Sequence, residues 1–240
     1  MVFHLIGLGL DVNSLSLEEK EAIKECEKIY LESYTIDFPY MISELEKTIG
    51  KKIIPLKREE VEGESFLDRA TYENIALLVY GDPFSATTHS QLILSCKRKK
   101  IPYKVYHNAS IVNSIGEIGL SVYKFGKICS IPKWREGFKP TSFVAYLKEN
   151  RMIKAHSLIL VDIGMSLKEA IEELEEASKK ENFSLPKKII VISCLGTKKQ
   201  NILFDMPKNL LKEDVEKPFC LVVPSEELHF LEEEFLKKTN

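Results

Sequence analysis

The sequence predicts an α/β protein of two lobes. Short, β-rich apolar runs alternate with helical patterns along all 240 residues. Two capping boxes, Ser16-x-x-Glu19 and Ser166-x-x-Glu169, each open a helix. Strands separated by helices predict parallel pairing and a layered architecture. A dividing point near 107–110 gives lobes of 1–108 and 109–240.

The elements follow in order. Residues 2–7 form a buried strand. The first capping box starts a helix with Ala22, Ile23 and Cys26 on one face, and 29–33 are a second strand. The helix of 40–49 ends at Gly50, a natural C-cap. A short strand at 53–56 precedes a charged stretch, 57–72, with no clear period. The strongest buried strand is 75–80, followed by a helix over 84–99 and a strand at 103–106. In the second lobe, 127–131 is a strand, 141–150 a helix and 157–162 a strand. Leu167, Ala170, Ile171, Leu174 and Ala177 then make an i, i+3, i+4, i+7, i+10 stripe. Strands at 189–193 and 219–223 and an amphipathic helix at 226–238 complete the chain.

Composition excludes several classes of function. The 34 Lys and Arg against 36 Asp and Glu give a net charge of −2. That balance argues against a protein that coats nucleic acid. No run approaches the roughly 20 apolar residues of a membrane span, and no basic segment precedes the apolar start, as a secretory signal would require. Cys26, Cys96, Cys129, Cys194 and Cys220 are scattered and odd in number, with no CxxC pair. They predict reduced thiols in a cytoplasmic protein, without a disulfide framework or a zinc site. The five histidines lack metal-ligand spacing as well.

Three loops at strand ends could carry chemistry. Gly7-Leu8-Gly9-Leu10-Asp11 brings paired glycines to the end of the first strand, where backbone can approach a ligand. It is not a dinucleotide fingerprint, because Val12 stands where a third glycine belongs and no helix begins before Ser16. A tight turn out of the strand explains it equally. Gly81-Asp82-Pro83-Phe84-Ser85-Ala86-Thr87-Thr88-His89 follows the strongest strand and offers a carboxylate, hydroxyls and an imidazole. Asp82 before Pro83 also fits a helix N-cap with proline at N1. Asn108-Ala109-Ser110-Ile111 follows the strand at 103–106 and offers a hydroxyl and backbone amides; it could equally be a linker. His107 and His156 read as structural histidines rather than bases. No nucleophile elbow, Walker A or kinase pattern is present.

Taken together, these motifs resemble the diphthine synthases. GLGL, GDPxxATTH at 81–89 and HxxSI at 107–111 carry the likeness. So do Val122-Tyr123-Lys124-Phe125-Gly126-Lys127, and Pro140-Thr141-Ser142-Phe143 followed by Leu147-Lys148-Glu149-Asn150. The stretch from His156-Ser157-Leu158 to Val161-Asp162-Ile163, and that of 223–229, agree too. The chain departs from the family where Ser193-Cys194 replaces a common Ala-Arg pair, and in a shorter segment between Ile163 and Ser166.

The resemblance implies two α/β lobes of the tetrapyrrole-methylase type with S-adenosylmethionine in the interlobe cleft. It implies methylation of the amine of 3-amino-3-carboxypropyl-histidine on translation elongation factor 2, towards diphthamide, by a homodimer. Archaeal-type members stop at trimethylated diphthine; eukaryotic members add a methyl to the carboxylate. The short chain looks archaeal. Carried over residue by residue, the cofactor positions are Leu10, Asp82, Ser85, Ser110 and Ile111, with Val161, Leu195 and Phe219 in the second lobe. No residue is implied as the catalytic base, and no metal is needed. The alternatives are a superfamily relative acting on a tetrapyrrole or RNA, and a non-catalytic S-adenosylmethionine-binding protein.

Overall fold

The computed structural model describes residues 1–239, and Asn240, the last residue of the expected second lobe, lies outside them. The chain divides into two compact units, 1–114 and 115–240. The expected dividing point, between 108 and 109, falls six residues upstream of this one.

The first unit runs β1 (Phe3–Gly7), α1 (Leu17–Glu25), β2 (Lys28–Glu32), α2 (Ile42–Ile49), β3 (Ile54–Leu56), α3 (Arg58–Glu62), β4 (Ile75–Val79), α4 (Ser90–Lys99), β5 (Tyr103–Tyr106) and α5 (Ile111–Ser114). Its sheet has the order β3-β2-β4-β1-β5, and every pairing is parallel. Both faces must therefore be covered, and the central strands β1 and β4 are buried throughout. One core layer holds Phe3, Leu5, Phe66, Leu67 and Leu77; the other holds Ile6, Ile23, Leu31, Leu45 and Leu78. The ambiguous stretch 57–72 resolves into α3 and a 3₁₀ segment, Ser65–Thr71, whose Phe66 and Leu67 join the first layer.

The second unit runs β6 (Cys129–Ile131), α6 (Phe143–Met152), β7 (Ser157–Val161), α7 (Leu167–Lys180), β8 (Ile189–Ser193), β9 (Asn201–Asp205), α8 (Pro207–Leu210), β10 (Phe219–Val223) and α9 (Phe230–Lys237). Its sheet has the order β6-β7-β10-β8-β9. Here uniformly parallel pairing fails. β6 and β7 are parallel, but β10 runs antiparallel to both β7 and β8, and β9 antiparallel to β8. The reason is connectivity: β9 follows β8 through the 194–200 connection and turns back against it, and the 206–218 connection, which holds α8, carries the chain past β8 so that β10 runs the same way as β9 and opposite to its neighbours β7 and β8. The α7 stripe residues are all buried against this sheet.

A second correction concerns 84–99. The helix begins only at Ser90, with His89 as its N-cap. Residues 83–88 form turns instead, and Ala86 sits at φ +59°, which no helix interior tolerates. Among the described residues no helix is long and apolar enough to cross a membrane. The five cysteines are buried and unpaired.

Candidate functional site

In a parallel sheet, ligand-binding loops gather beyond the carboxyl ends of the strands. β1, β4 and β5 are adjacent, so the loops leaving them start side by side. Backbone then joins the first two: Gly9 N–H donates to Gly81 O at 3.1 Å, and Gly81 N–H donates to Gly9 O at 3.0 Å. This needs glycine. A Cβ on Gly7 would lie 2.6 Å from Gly81 O, and one on Gly9, at φ +68°, would lie 2.5 Å from Ser14 Cβ. The third loop is fastened by Asn108, whose Nδ2 donates to Gly7 O at 3.1 Å and Ser14 O at 3.2 Å. Its Oδ1 accepts from Ala109 N at 2.8 Å.

Leu10, Asp82, Ser85 and Ser110 are carried by these joined loops, and Ile111 opens α5 directly after the third. Leu10 is buried, and its carbonyl accepts from Tyr80 Oη at 3.0 Å. Ser85 and Ile111 are half-buried. Ser110 is 4% exposed, and its Oγ has no hydrogen-bond partner. A buried hydroxyl left unpaired costs free energy, and a ligand polar atom would remove that cost.

Asp82 is not a helix cap. Its Oδ1 accepts from Phe84 N at 2.9 Å, closing a turn, and its Oδ2 lies 2.8 Å from His107 Nδ1. A carboxylate only accepts, so His107 Nδ1 carries the proton. The His107 side chain is 67% exposed. It is therefore not the structural histidine its sequence context suggested, and its pairing with Asp82 was not legible from residue type alone. His156 fulfils the structural expectation. It is fully buried; Nδ1 accepts from Ser225 N at 2.9 Å and Nε2 donates to Glu232 Oε1 at 3.1 Å. Burial pushes its pKa down.

The base of the second loop has its own support. His89 Nδ1–H donates to Pro83 O at 3.0 Å, and its Nε2 lies 3.7 Å from Glu32 Oε2 at the end of β2. Both side chains are buried, and burial raises the Glu32 carboxyl above its ordinary range.

In the second unit the topology gathers the other three positions. β10 runs opposite to β7 and β8, with Cys220 opposite both Leu160 and Ile192, and Phe219 opposite Ser193. Val161 at the end of β7, Leu195 just past β8 and Phe219 at the start of β10 thus share one end of the sheet. Leu195 is buried between Cys194, at φ +49°, and Gly196, at φ +77°. Cys194 N–H donates to Pro218 O at 2.8 Å, which ties this turn to the start of β10. No group of His, Cys, Asp or Glu among the described residues could hold a metal ion.

A parallel sheet carrying joined glycine loops, followed by a mixed five-stranded sheet, defines a class. The model of the family "Tetrapyrrole (Corrin/Porphyrin) Methylases" matches residues 2–207. The chain is 34% identical to the diphthine methyl ester synthase of Schizosaccharomyces pombe over 98% of its own length and 93% of that protein's. It is 36% identical to the diphthine synthase of Methanothermobacter thermautotrophicus over 98% of its length and 94% of the relative's. A solved crystal structure of diphthine synthase superposes with a TM-score of 0.90 at 32% identity, covering 100% of this chain and 96% of that one. The chain belongs to the tetrapyrrole methylase family and, within it, to the diphthine synthases.

Proposed function

We propose that the chain methylates the amine of 3-amino-3-carboxypropyl-histidine on translation elongation factor 2, with S-adenosylmethionine as donor, yielding diphthine. The observation that carries this reading is the set of joined loops at β1, β4 and β5 with the unpaired Ser110 hydroxyl, in a chain whose relatives along nearly its whole length are diphthine synthases. The residues present fit the donor. Ser110 Oγ offers an unused hydrogen-bonding group, Asp82 a carboxylate for hydroxyls or an ammonium, and Leu10 and Ile111 apolar contact. Glycines 7, 9 and 81 let backbone amides approach without side chains in the way. Val161, Leu195 and Phe219 would give the adenine an apolar seat in the second unit.

S-adenosylmethionine supplies an activated methyl group, so the protein's work is positioning. The acceptor nitrogen must reach the loops unprotonated and in line with the bond that breaks. The test incubates purified protein and labelled S-adenosylmethionine with elongation factor 2 bearing the 3-amino-3-carboxypropyl group, alongside unmodified factor. Mass spectrometry should show methyl additions on the modified factor alone. Transfer to a tetrapyrrole or RNA would favour the other branch of the superfamily, and binding without any transfer a sensor.

The name of the fission-yeast relative favours a second reading, in which an ester methyl follows. Mild alkali removes an ester methyl and leaves N-methyl groups, so the same product distinguishes them.

A further inference from the structure

We infer that His107 is the base that takes the proton from the acceptor amine; the inference rests on the function proposed above and names the group that serves it. The geometry has three parts. His107 Nδ1–H is fixed on Asp82 Oδ2 at 2.8 Å, so the neutral ring must keep its lone pair on Nε2. A buried carboxylate on Nδ1 orients an imidazole and stabilises the cation that forms when Nε2 gains a proton. Asp82 is 9% exposed and held from its other oxygen by Phe84 N, so it does not swing away.

The ring, in contrast, is largely open. The Phe84 ring lies beside it at 5.8 Å between centroids, and no described residue engages Nε2. Asp82 is the charged group recorded against His107, from the loop after β4; its own strand end contributes Asn108, which is turned to Gly7 and Ser14. His107 also stands three residues before Ser110, on the loop proposed to hold the donor. An oriented imidazole with a free accepting nitrogen, at the rim of a methyl-transfer site, matches what an ammonium acceptor needs.

The step balances simply. Nε2 accepts a proton from the acceptor ammonium. The freed nitrogen lone pair forms the bond to the methyl carbon as the carbon–sulfur bond breaks and its electron pair stays on sulfur. The imidazolium then passes its proton to water, which its exposure allows, and is ready for the next methyl. A protonated amine has no lone pair to give, so without a base the reaction must wait for the rare free amine.

His107→Asn is the informative variant, because the asparagine amide can still donate to Asp82 while the accepting nitrogen is gone. At neutral pH, N-methylation of modified elongation factor 2 should slow by about 100- to 10,000-fold. Affinity for the demethylated donor, measured by calorimetry, should change by less than about threefold. The wild-type rate should level off with rising pH. The variant rate should keep climbing about tenfold per pH unit into the alkaline range, as hydroxide replaces the base. Nitrogen-15 spectra of wild-type protein should show neutral His107 protonated on Nδ1.

A variant as fast as wild type at neutral pH overturns the inference, as does a neutral ring protonated on Nε2. A rate loss matched by an equal loss of donor affinity, with an unaltered pH profile, also overturns it and makes His107 a loop support. If the wild-type protein transfers nothing to modified factor while binding the donor, the proposed function falls and this inference with it.

Discussion

Asp82 joins two of the three loops of the first unit through one side chain. One oxygen closes the 82–84 turn and the other holds His107. Asp82→Asn keeps the turn, because an amide oxygen accepts as well, but removes the negative charge. Affinity for S-adenosylmethionine should fall by roughly 1.5–3 kcal/mol, the scale of a charge-assisted hydrogen bond, measured by calorimetry, with a much smaller change in melting temperature. Unchanged affinity would reduce Asp82 to a support for its loop and for His107. Gly7 makes a contrasting case at the same scale. It touches no ligand by side chain, yet a methyl there meets a backbone oxygen that cannot rotate aside. Gly7→Ala should cost about 1–3 kcal/mol of stability, as overpacking does, and weaken donor binding by separating the loops at Gly9 and Gly81. A thermal scan with no shift would show that the strand ends yield more easily than their geometry implies.

Individual elements show which local signals can be trusted. α7 begins at Ser166, whose Oγ accepts from Glu169 N at 3.2 Å while Glu169 reaches back to Ser166 N at 2.7 Å. Ser166→Ala should cost about 1 kcal/mol, visible in chemical denaturation. The same capping chemistry misled at Asp82. Aspartate before proline is a helix start on local grounds, but Ala86 at φ +59° breaks the helical path and delays α4 to Ser90. Local sequence recorded the caps of α1 and α7 because their partners lie three residues away. It could not record strand direction, since an apolar run such as 219–223 reads the same whichever way it pairs; the strand is legible there, but its antiparallel direction is not. β9 was missed for another reason: it is a half-exposed edge strand without a fully apolar run. Of the site, the glycine loops were legible as motifs. The Asp82–His107 contact was not, because 25 residues separate the partners.

α9 adds a pH argument at this scale. Glu232 Oε1 accepts from Ser121 N at 3.0 Å and from His156 Nε2, and Oε2 from His229 N at 2.9 Å and Lys124 Nζ at 3.0 Å. Burial works against its charge, but these donors prevail and hold the carboxyl down at about 2, against an ordinary 4.5. A depressed carboxylate contributes stability that is present above its unfolded value and lost as pH falls from 4.5 towards 2. His156, pushed down by burial, works in the same direction as acid protonates the unfolded chain below about 6.5. Glu232→Gln should therefore be less stable than wild type by about 3 kcal/mol at neutral pH. The gap should close as pH drops below 4.5, in denaturation curves recorded at several pH values. A gap independent of pH would mean that shape rather than charge holds α9 in place.

For the whole molecule, donor binding and stability are one linked quantity. A ligand that binds the folded chain and not the unfolded one stabilises it by RT ln(1 + [L]/Kd), about 2.7 kcal/mol at a hundredfold excess over Kd. At roughly 2–4 °C per kcal/mol for a chain of this size, that is about 5–11 °C in Tm. The proposed ligand groups sit on both compact units, Leu10 to Ile111 on the first and Val161, Leu195 and Phe219 on the second. The groups of the first unit belong to strand-end loops that its own sheet already holds, so binding there adds stability without first having to order a segment. The demethylated donor should therefore leave Tm unchanged well below its Kd and raise it linearly with the logarithm of its concentration above that point. Asp82→Asn should need roughly 10- to 150-fold more ligand for the same rise, the concentration equivalent of its 1.5–3 kcal/mol. Leu195→Ala, on the other unit, should displace the same curve to higher ligand concentration, once its own loss of core packing is subtracted from the ligand-free Tm. A curve displaced by Asp82→Asn but untouched by Leu195→Ala would confine the donor to the first unit and remove Val161, Leu195 and Phe219 from its site.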